Sequence, residues 1–267
     1  MLFDIQNTPS SKDIPIDFAG VTDLRYPIVV LDKKNKKQNT VAYVSMSVNL
    51  PGNFKGTHMS RFIEVLNKHR GEITMRTIPK ILKELLVKLN AACAKIEVKF
   101  PYFIEQEAPK SKSRAIMDYD CKFIGEIRKG TLDFIMNIRV PVTSLCPCSK
   151  AISDYGAHNQ RGYVDVSIRN TLDKKGKPRF VWFEELIRMA EQSASCPVYP
   201  LLKRPDERYV TMQAYNNPAF VEDIVRNMSV FLQKDDRIKW FLVRVDNMES
   251  IHNHNVFAVI ESAVKIK

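Results

Sequence analysis

Two cysteines on either side of one proline, Cys146 and Cys148, are the residues of this sequence that point most directly to chemistry. His158 follows in a polar, glycine-containing segment that is not typical of a protein core. Thiolate and imidazole together favour zinc or a similar first-row cation over magnesium or calcium. If the backbone stays extended, both thiols project to the same side and face one ion or one substrate. The motif alone also fits a redox pair or two buried thiols, and it leaves these alternatives open.

A second group of ionisable residues, Glu249, His252 and His254, lies near the C-terminal end between two strand-like segments. A His-x-His pair on extended backbone places both imidazoles on one side, which suits two metal ligands or a proton-transfer pair. Solvent-exposed histidines in a turn are the alternative interpretation. That alternative is weaker for a pair that has a carboxylate beside it.

A third group spans residues 201–209, where Asp206 and Glu207 lie among three cationic side chains. A structural cluster of salt bridges is one interpretation of this pattern. In the other, Glu207 completes a site of Cys, His and carboxylate ligands that keeps one position open for water.

The composition describes a globular protein of one large or two moderate domains. Of the 267 residues, 45% are hydrophobic, which is ample for a core. No apolar run approaches the roughly 18–20 residues of a membrane span, and the N-terminus lacks the pattern of a secretory signal. Five cysteines without disulfide-framework spacing indicate a reducing compartment, so we expect a cytoplasmic protein. Three of them are expected to be small core residues: Cys93, Cys121 and Cys196.

The formal net charge of +11 raises the question of a nucleic-acid partner. Much of the excess lies in three lysine-rich runs, residues 33–37, 110–114 and 174–177, which we interpret as solvated hairpin tips. No segment combines aromatic and basic residues as ribonucleoprotein motifs do. A positive field serves a small, highly anionic substrate as well as a polynucleotide. We therefore expect neither a nucleic-acid partner nor a membrane partner.

The hydrophobic pattern repeats one order of elements twice, strand-strand-helix-helix-strand-strand. Residues 1–24 are expected to form an N-terminal arm, followed by one bimodular domain with units at 25–129 and 130–267. This order predicts an α+β fold of antiparallel sheets with helix pairs on one face. Because the other face must also be hidden, the order favours assembly into a multi-subunit barrel. The predicted strands are residues 25–31, 40–49, 95–107, 119–128, 132–142, 163–168, 238–245 and 255–264, and the predicted helices are 58–69, 77–91, 182–194 and 218–233.

Four segments together resemble type IB GTP cyclohydrolase I, in order along the chain from about residue 10 onward. They are residues 56–62, 144–150, 202–207 and 249–254. The resemblance implies the tunnelling fold, in which tandem ββααββ units assemble into a homotetramer around barrel tunnels, with sites at subunit interfaces. It also implies the reaction of GTP with water to 7,8-dihydroneopterin triphosphate and formate, the first step of folate synthesis.

The resemblance assigns a metal site to Cys146, His158 and Glu207, with Cys148 as a further ligand or as a catalytic thiol beside the ion. It implies one divalent ion per subunit, zinc, manganese or iron, and no organic cofactor. The mixed sulfur, nitrogen and oxygen donors suit all three metals. An ion held by few protein ligands keeps an open position and lowers the pKa of bound water toward neutrality. That chemistry suits hydrolytic attack on C8 of the guanine ring.

The resemblance also assigns the substrate contacts and the proton transfers. Glu249 would anchor the guanine edge, because a carboxylate accepts two hydrogen bonds from the ring N–H and the exocyclic amine. A role at the helix surface is the alternative for Glu222. The residues expected to be catalytic are Cys146, Cys148, His252 and His254. The residues expected to bind substrate are Glu249, Glu222, Lys203, Arg204, Arg61 and Arg161, the four cations at the triphosphate.

Two other functions fit parts of the sequence. A nitrile reductase of the same fold uses a cysteine nucleophile and NADPH, whereas the second thiol and the His-x-His pair favour a metal hydrolase. A basic, metal-stabilised RNA-binding protein would use the cysteines and histidine within a closed set of four ligands. Neither alternative accounts for all four segments.

Overall fold

The structure is a computed structural model that describes residues 5–69 and 71–264. A 3-10 turn at Ile5–Asn7 precedes the first strand. The strands are β1 (Ile16–Asp32), β2 (Lys36–Leu50), β3 (Cys93–Glu107), β4 (Arg114–Arg128), β5 (Thr131–Leu145), β6 (Asn159–Asn170), β7 (Cys196–Pro197), β8 (Ile238–Asn247) and β9 (Val256–Ala263). The helices are α1 (Met59–Lys68), α2 (Ile78–Lys88), α3 (Pro147–Ile152), α4 (Phe183–Ser193), α5 (Arg204–Asn216) and α6 (Val221–Lys234).

The order of elements confirms the predicted ββααββ pattern in both halves of the chain. Backbone pairing orders the strands as β1-β2-β3-β4-β5-β6-β8-β9, and the short β7 pairs with β5. The described pairs β1–β2, β2–β3, β5–β7, β6–β8 and β8–β9 are antiparallel. The protein is therefore an α+β protein built on a large antiparallel sheet.

The chain divides into two compact units. The first unit comprises the described residues up to Pro101 together with Lys122–Met136. The second comprises Tyr102–Cys121 and the described residues from Asn137 onward. The strands β3, β4 and β5 contribute residues to both units because the division falls inside them.

In the first unit, alternation along β2 buries every second residue, from Thr40 to Leu50. The helix α1 buries Phe62, Val65 and Leu66, which share one helical face at this spacing. Glycine at position 125 lets α2 approach β4 closely, because a Cβ there would lie 2.5 Å from Ile78 Cγ2. The core of this unit thus lies between the sheet and its helix pair.

In the second unit, α4 and α6 supply the matching helix pair. Each buries one apolar stripe at helical spacing. The strand β6 buries alternate residues from Gln160 to Asn170, and it pairs with β8 from Gly162–Asn247 to Asn170–Ile238. This register brings the first residues of β6 beside the end of β8, where the predicted site residues are concentrated.

The predicted pattern lacks three elements that the structure contains: α3, β7 and α5. The helix α5 escapes the periodicity argument because only Asp206 and Ala214 of its 13 residues are buried. The sequence nevertheless contains a signal for the start of α5, because Pro205 lies in the first turn and an acidic residue occupies the third position.

The strand β1 begins at Ile16, inside the stretch 1–24 that the sequence assigns to an arm. Residues Ile16–Leu24 pair with β2, but the register shifts twice, between Ile16 and Ala19 and between Val21 and Leu24. These irregularities break the alternation on which strand prediction depends. The first four residues of the arm lie outside the described residues.

The lysine-rich runs lie at turns, as predicted. Residues 33–35 connect β1 to β2, and the run that begins at Lys110 connects β3 to β4. Residues 174–177 form a turn in which Asp173 accepts hydrogen bonds from the backbone N–H groups of Lys175 and Lys177. Cys93, Cys121 and Cys196 are buried, and all five cysteines are free thiols. Over the described residues, no helix has the length and apolarity needed to cross a membrane.

Candidate active site

A cavity of about 310 Å³ in the second unit collects most of the residues that the sequence singles out. It lies where β5 and β8 end, β6 begins and α6 begins. We call it the Cys146 cavity. The predicted site residues on its wall are Cys146, Cys148, His158, Glu222, Glu249, His252 and His254.

The thiol pair sits at the junction of β5 and α3. Cys146 is the N-cap of α3, and its Sγ accepts a hydrogen bond from the backbone N–H of Ser149 at 3.4 Å. Pro147 occupies the first helical position, where its missing N–H costs nothing. Cys146 is partly buried and Cys148 is exposed. The turn therefore presents one anchored thiol and one accessible thiol to the same cavity.

His158 is tied to this turn through the backbone. Cys146 N donates to His158 O at 3.1 Å. In return, His158 N donates to Ser149 Oγ at 3.1 Å. The imidazole Nδ1 lies 3.0 Å from Gln160 Oε1. The backbone segments that carry the predicted thiol and imidazole are thus joined by hydrogen bonds.

The segment between β8 and β9 forms another wall of the cavity. The rings of His252 and His254 are stacked, with centroids 5.3 Å apart and planes 10° apart. The segment is anchored where Met248 N donates to Arg161 O at 2.9 Å. Glu249 follows directly and is partly buried. Glu222 enters from the first turn of α6, so two carboxylates and three imidazoles line one cavity.

Three buried polar residues of this wall, Ser144, Gln160 and Asn247, were not predicted. Their side chains are 1%, 8% and 2% exposed, respectively. Each lies at a strand end, at a position where the alternation calls for an apolar residue. Polar residues at core positions of a strand are the signal that points to them, because a buried polar group needs a specific partner.

Arg161 faces a different cavity from His158. Successive strand residues point to opposite faces, so His158 and Gln160 line the Cys146 cavity while Arg161 lines a second cavity of about 490 Å³. Tyr199 and Tyr215 belong to the wall of that second cavity. The predicted contact between Arg161 and the triphosphate stays a prediction.

The other three cations predicted for the triphosphate lie at two helices, α5 and α1. Lys203 and Arg204 begin α5 and are exposed, as is Glu207 one turn further on. None of these three is on the wall of the Cys146 cavity. Arg61 lies on α1 in the first unit, where its Nη1 donates to Lys88 O at 3.1 Å. Their predicted roles stay predictions.

The start of α5 is fixed by a fully buried carboxylate. Asp206 accepts hydrogen bonds from the backbone N–H groups of Lys110 at 2.7 Å, Ser111 at 2.9 Å and Lys203 at 3.0 Å. Burial acts to raise the pKa of Asp206, but hydrogen bonds from Ser111, Lys203 and Lys110 outweigh it and hold that pKa well below its ordinary value. Asp206 thereby fastens α5 to the β3–β4 turn.

The donors of the Cys146 cavity suit a zinc-type ion by their chemistry. Two thiols and an imidazole are soft and borderline ligands, and the cavity adds carboxylates. Within residues 5–69 and 71–264, no three Cys, His, Asp or Glu side chains are already gathered closely enough to enclose an ion. The fit therefore rests on donor type and on a shared cavity.

Solved structures of low sequence identity share the fold. A highly active mutant of urate oxidase from Bacillus sp. TB-90 matches with a TM-score of 0.57 at 9% identity, covering 93% of this chain and 100% of that one. Urate oxidase from Bacillus subtilis 168 matches with a TM-score of 0.54 at 8% identity, covering 94% and 100%. At this identity the likeness shows the fold alone. It confirms the tunnelling fold of the single chain, whereas the expected assembly into a homotetramer stays a prediction.

Relatives of high identity cover nearly the whole chain. GTP cyclohydrolase FolE2 of Nitrosomonas eutropha is 51% identical over 259 residues, spanning 97% of this chain and 94% of the relative. GTP cyclohydrolase FolE2 of Geobacter metallireducens is 49% identical over 263 residues, spanning 98% of both chains. The family model described as type I GTP cyclohydrolase folE2 matches residues 2–258. Thus, the chain belongs to the FolE2 family of type I GTP cyclohydrolases.

Proposed function

We propose that this protein is a GTP cyclohydrolase, which hydrolyses GTP to 7,8-dihydroneopterin triphosphate and formate at the start of folate biosynthesis. Family membership over residues 2–258 supports the activity. The structural observation that carries the proposal is the Cys146 cavity itself. One cavity holds two thiols, three imidazoles and two carboxylates, which is the set of donors and proton carriers that a hydrolytic ring opening requires.

Glu249 is proposed to recognise the guanine edge, and the stacked histidines are proposed to move protons. A carboxylate accepts two hydrogen bonds from a ring N–H and an exocyclic amine, a pattern that adenine lacks. His252 and His254 line the same cavity, so either ring is placed to protonate the guanine nitrogen released when the imidazole ring opens. Glu222 is proposed as a further substrate contact on the α6 side.

A divalent ion, zinc, manganese or iron, is proposed to be held by Cys146 and His158, with Cys148 as a ligand or a neighbouring catalytic thiol. Glu207 is proposed as the carboxylate ligand. Such an ion supplies a water molecule of lowered pKa and polarises the reacting atoms. No organic cofactor is required. Arg61, Arg161, Lys203 and Arg204 are proposed to bind the triphosphate, because guanidinium and ammonium groups are the usual partners of phosphate.

The protein is further proposed to be a cytoplasmic homotetramer of the type IB class, with sites at subunit interfaces. The two strands at the ends of the pairing order, β1 and β9, support assembly, because an edge strand presents unpaired backbone groups to another chain. The strand β9 also exposes the side chains of Phe257 and Val259, 61% and 44%, respectively.

The test is incubation of chelator-treated protein with GTP and single divalent ions, following formate and the fluorescent pterin formed after oxidation. We expect product with at least one of zinc, manganese and iron. The variant Cys146→Ala should abolish product, whereas Cys93→Ala, which removes a buried thiol of the first unit, should retain it. Absence of product with all three ions would contradict the proposal, and oxidation of NADPH without formate release would favour a reductase.

A further inference from the structure

We propose that Ser144 and Gln160 are positioning residues that hold His158 in the tautomer with its proton on Nδ1, so that the Nε2 lone pair is the one available to the site. The inference deepens the proposed function, on which its biological meaning rests. It starts from a hydroxyl group to which the proposed mechanism assigns no step. Ser144 is 1% exposed at the end of β5, on the wall of the Cys146 cavity.

The single hydrogen of the Ser144 hydroxyl is committed to a backbone carbonyl. Ser144 Oγ lies 3.0 Å from Ala219 O. A carbonyl oxygen only accepts, so Ser144 must be the donor of this bond. Any other polar atom that approaches Ser144 Oγ must therefore bring its own hydrogen.

Two side-chain amides approach the same hydroxyl oxygen. Asn247 Nδ2 lies 2.9 Å from Ser144 Oγ, and Gln160 Nε2 lies 3.4 Å from it. The carbonyl and amino ends of an amide are assigned from the network around them. Because Ser144 has no second hydrogen to give, both amides must present their NH₂ groups to it. This orientation of Gln160 turns its carbonyl oxygen away from Ser144.

The carbonyl oxygen of Gln160 meets the ring of His158. Gln160 Oε1 lies 3.0 Å from His158 Nδ1, and an amide oxygen only accepts. The hydrogen of this bond must then sit on Nδ1. In a neutral imidazole the other nitrogen, Nε2, carries the lone pair. Fixing the tautomer through the far ring nitrogen is the usual way in which a protein prepares a histidine ligand or base.

The other contacts of His158 are compatible with a proton on Nδ1. Ser250 Oγ lies 3.4 Å from His158 Nδ1 and is able to accept from the same N–H. The backbone N–H of His158 is held by Ser149 Oγ, so the ring is anchored independently of its own nitrogens. The chain of hydrogen bonds therefore begins at Ala219 O and passes through Ser144 and Gln160 to His158, and each bond fixes which atom donates in the next.

The same hydroxyl joins the segments that build the cavity. Ser144 lies on β5, two residues before Cys146. Ala219 precedes α6, and Asn247 ends β8 two residues before Glu249. Buried hydrogen bonds that join separate segments hold these segments in fixed positions. Ser144 thus sets the position of these walls as well as the tautomer of one ring.

The test is the long-range proton–nitrogen NMR spectrum of the full-length, chelator-treated protein labelled with ¹⁵N at mildly alkaline pH. The spectrum separates protonated from unprotonated ring nitrogens, and the five histidines of the chain make it tractable. The His158→Gln variant identifies the signals of that ring. We expect Nδ1 protonated and Nε2 unprotonated. A ring protonated on Nε2 in the unsubstituted protein would overturn the inference.

Variants of Gln160 separate positioning from packing. Gln160→Leu should shift the ring toward the Nε2–H tautomer, which a free histidine prefers, whereas Gln160→Glu keeps an acceptor and should retain Nδ1–H. Zinc affinity, measured by competition with a chromophoric chelator, should fall about 10–100-fold in Gln160→Leu, the usual effect of losing an outer partner of a ligand. An unchanged tautomer in Gln160→Leu would overturn the role of Gln160 and assign it to Ser250.

Ser144→Ala should also shift the ring toward Nε2–H, because the freed Gln160 amide is then able to rotate. The matched control is Ser193→Ala, an equally buried serine (1% exposed) that donates to Met189 O at 2.7 Å in a helix. The control should leave the tautomer unchanged, and a shift of equal size in both variants would overturn the role of Ser144. These readouts need no turnover. A protein that showed the expected tautomers but released no formate would lose only the proposed function.

Discussion

At the scale of single residues, Glu249 is the side chain on which the proposed base recognition depends. It lies two residues after Asn247, which is buried and bonded to Ser144, and it opens into the Cys146 cavity. A carboxylate held in this way presents two acceptors to a planar base edge. The stacked rings of His252 and His254 line the same cavity as Glu249. The proposed recognition and the proposed proton transfer therefore belong to one short segment.

Glu249→Gln should raise KM for GTP and reduce the preference for GTP over other nucleotides, and it should change kcat less. The amide replaces one of the two acceptors with a donor, and a hydrogen bond to a charged group is worth about 1.5–3 kcal/mol, so KM should rise roughly 10–100-fold. The preference for GTP over inosine triphosphate, which lacks the exocyclic amine, should shrink in steady-state assays. Glu261→Gln, which alters a β9 carboxylate bonded to Trp240 Nε1 at 3.0 Å, is the control. Equal selectivity in both variants would contradict guanine recognition by Glu249.

At the scale of elements, two carboxylates, the buried Asp206 and the partly buried Glu191, connect helices to the β3–β4 hairpin within the second unit. Asp206 joins the start of α5 to the turn at Lys110 and Ser111. Glu191 on α4 accepts from Gln106 Nε2 at 3.0 Å, and the same nitrogen lies 2.7 Å from Tyr119 OH. Asp206 accepts three backbone hydrogen bonds as an anion, whereas Glu191 is partly buried and has fewer donors. Their responses to pH should consequently be opposite.

Asp206→Asn should loosen the start of α5 and the β3–β4 turn. Because the folded pKa lies below the ordinary value of 3.8, the carboxylate stabilises the folded state above about pH 4, and this contribution is lost as pH falls further. The variant should unfold at a lower temperature than the parent at pH 7, and the difference should shrink in acid. Amide exchange at Lys110 and Ser111 should accelerate. Asp154→Asn, at an exposed carboxylate, is the control. Equal amide exchange in both variants would contradict the connection between Asp206 and the β3–β4 turn.

Glu191→Gln should instead stabilise the protein at higher pH. Burial raises the pKa of Glu191 to about 7, against weaker lowering by Gln106, Tyr119 and Arg188. A carboxyl with a raised folded pKa favours folding below its unfolded pKa of 4.5 and loses that contribution as pH rises toward 7. Between pH 5 and 8 the free energy of unfolding of the parent should fall relative to the variant by on the order of 2 kcal/mol. The free energies of unfolding are measured with denaturant. A difference between parent and variant that stays constant from pH 5 to 8 would contradict a neutral Glu191 in the folded state.

At the scale of the whole molecule, each compact unit has its own part of the antiparallel sheet and its own helix pair. The pairing order ends at β1 and at β9, and β9 carries alternating exposed apolar side chains. Long edge strands with apolar side chains are rare on surfaces that stay in water, because they pair with other chains. The distribution of apolar surface therefore favours assembly through the strand edges.

Replacing Phe257 and Val259 together by lysine should convert the proposed tetramer to smaller species, since like charges on an edge strand oppose pairing with another chain. Sedimentation velocity measures the outcome. Val87→Lys, at a side chain that is 83% exposed on α2, is the matched control and should keep the parent mass. A parent protein that sediments as a monomer would contradict assembly, and an unchanged mass in the double variant would exclude β9 from the interface.

Much of this architecture follows from local sequence. The two ββααββ runs, the hairpin tips at the lysine-rich turns and the core positions of Cys93, Cys121 and Cys196 are readable because side-chain periodicity reports which face of an element is buried. The sequence could not reveal β7, which has two residues, or the strand character of Ile16–Leu24, where register shifts break the alternation. In those places pairing between distant segments overrides the local pattern.

In the candidate site, too, local sequence determines some features and tertiary structure determines others. The sequence by itself determines which side chains are chemically able to act: the thiols, the imidazoles and the carboxylates in four separated segments. Only the tertiary structure decides that Cys146, His158, Glu222 and Glu249 share one cavity while Arg161 faces another, because strand register and alternation set direction. Only the tertiary structure, likewise, brings Ser144 between Gln160, Asn247 and Ala219, since these hydrogen bonds join residues far apart in the chain.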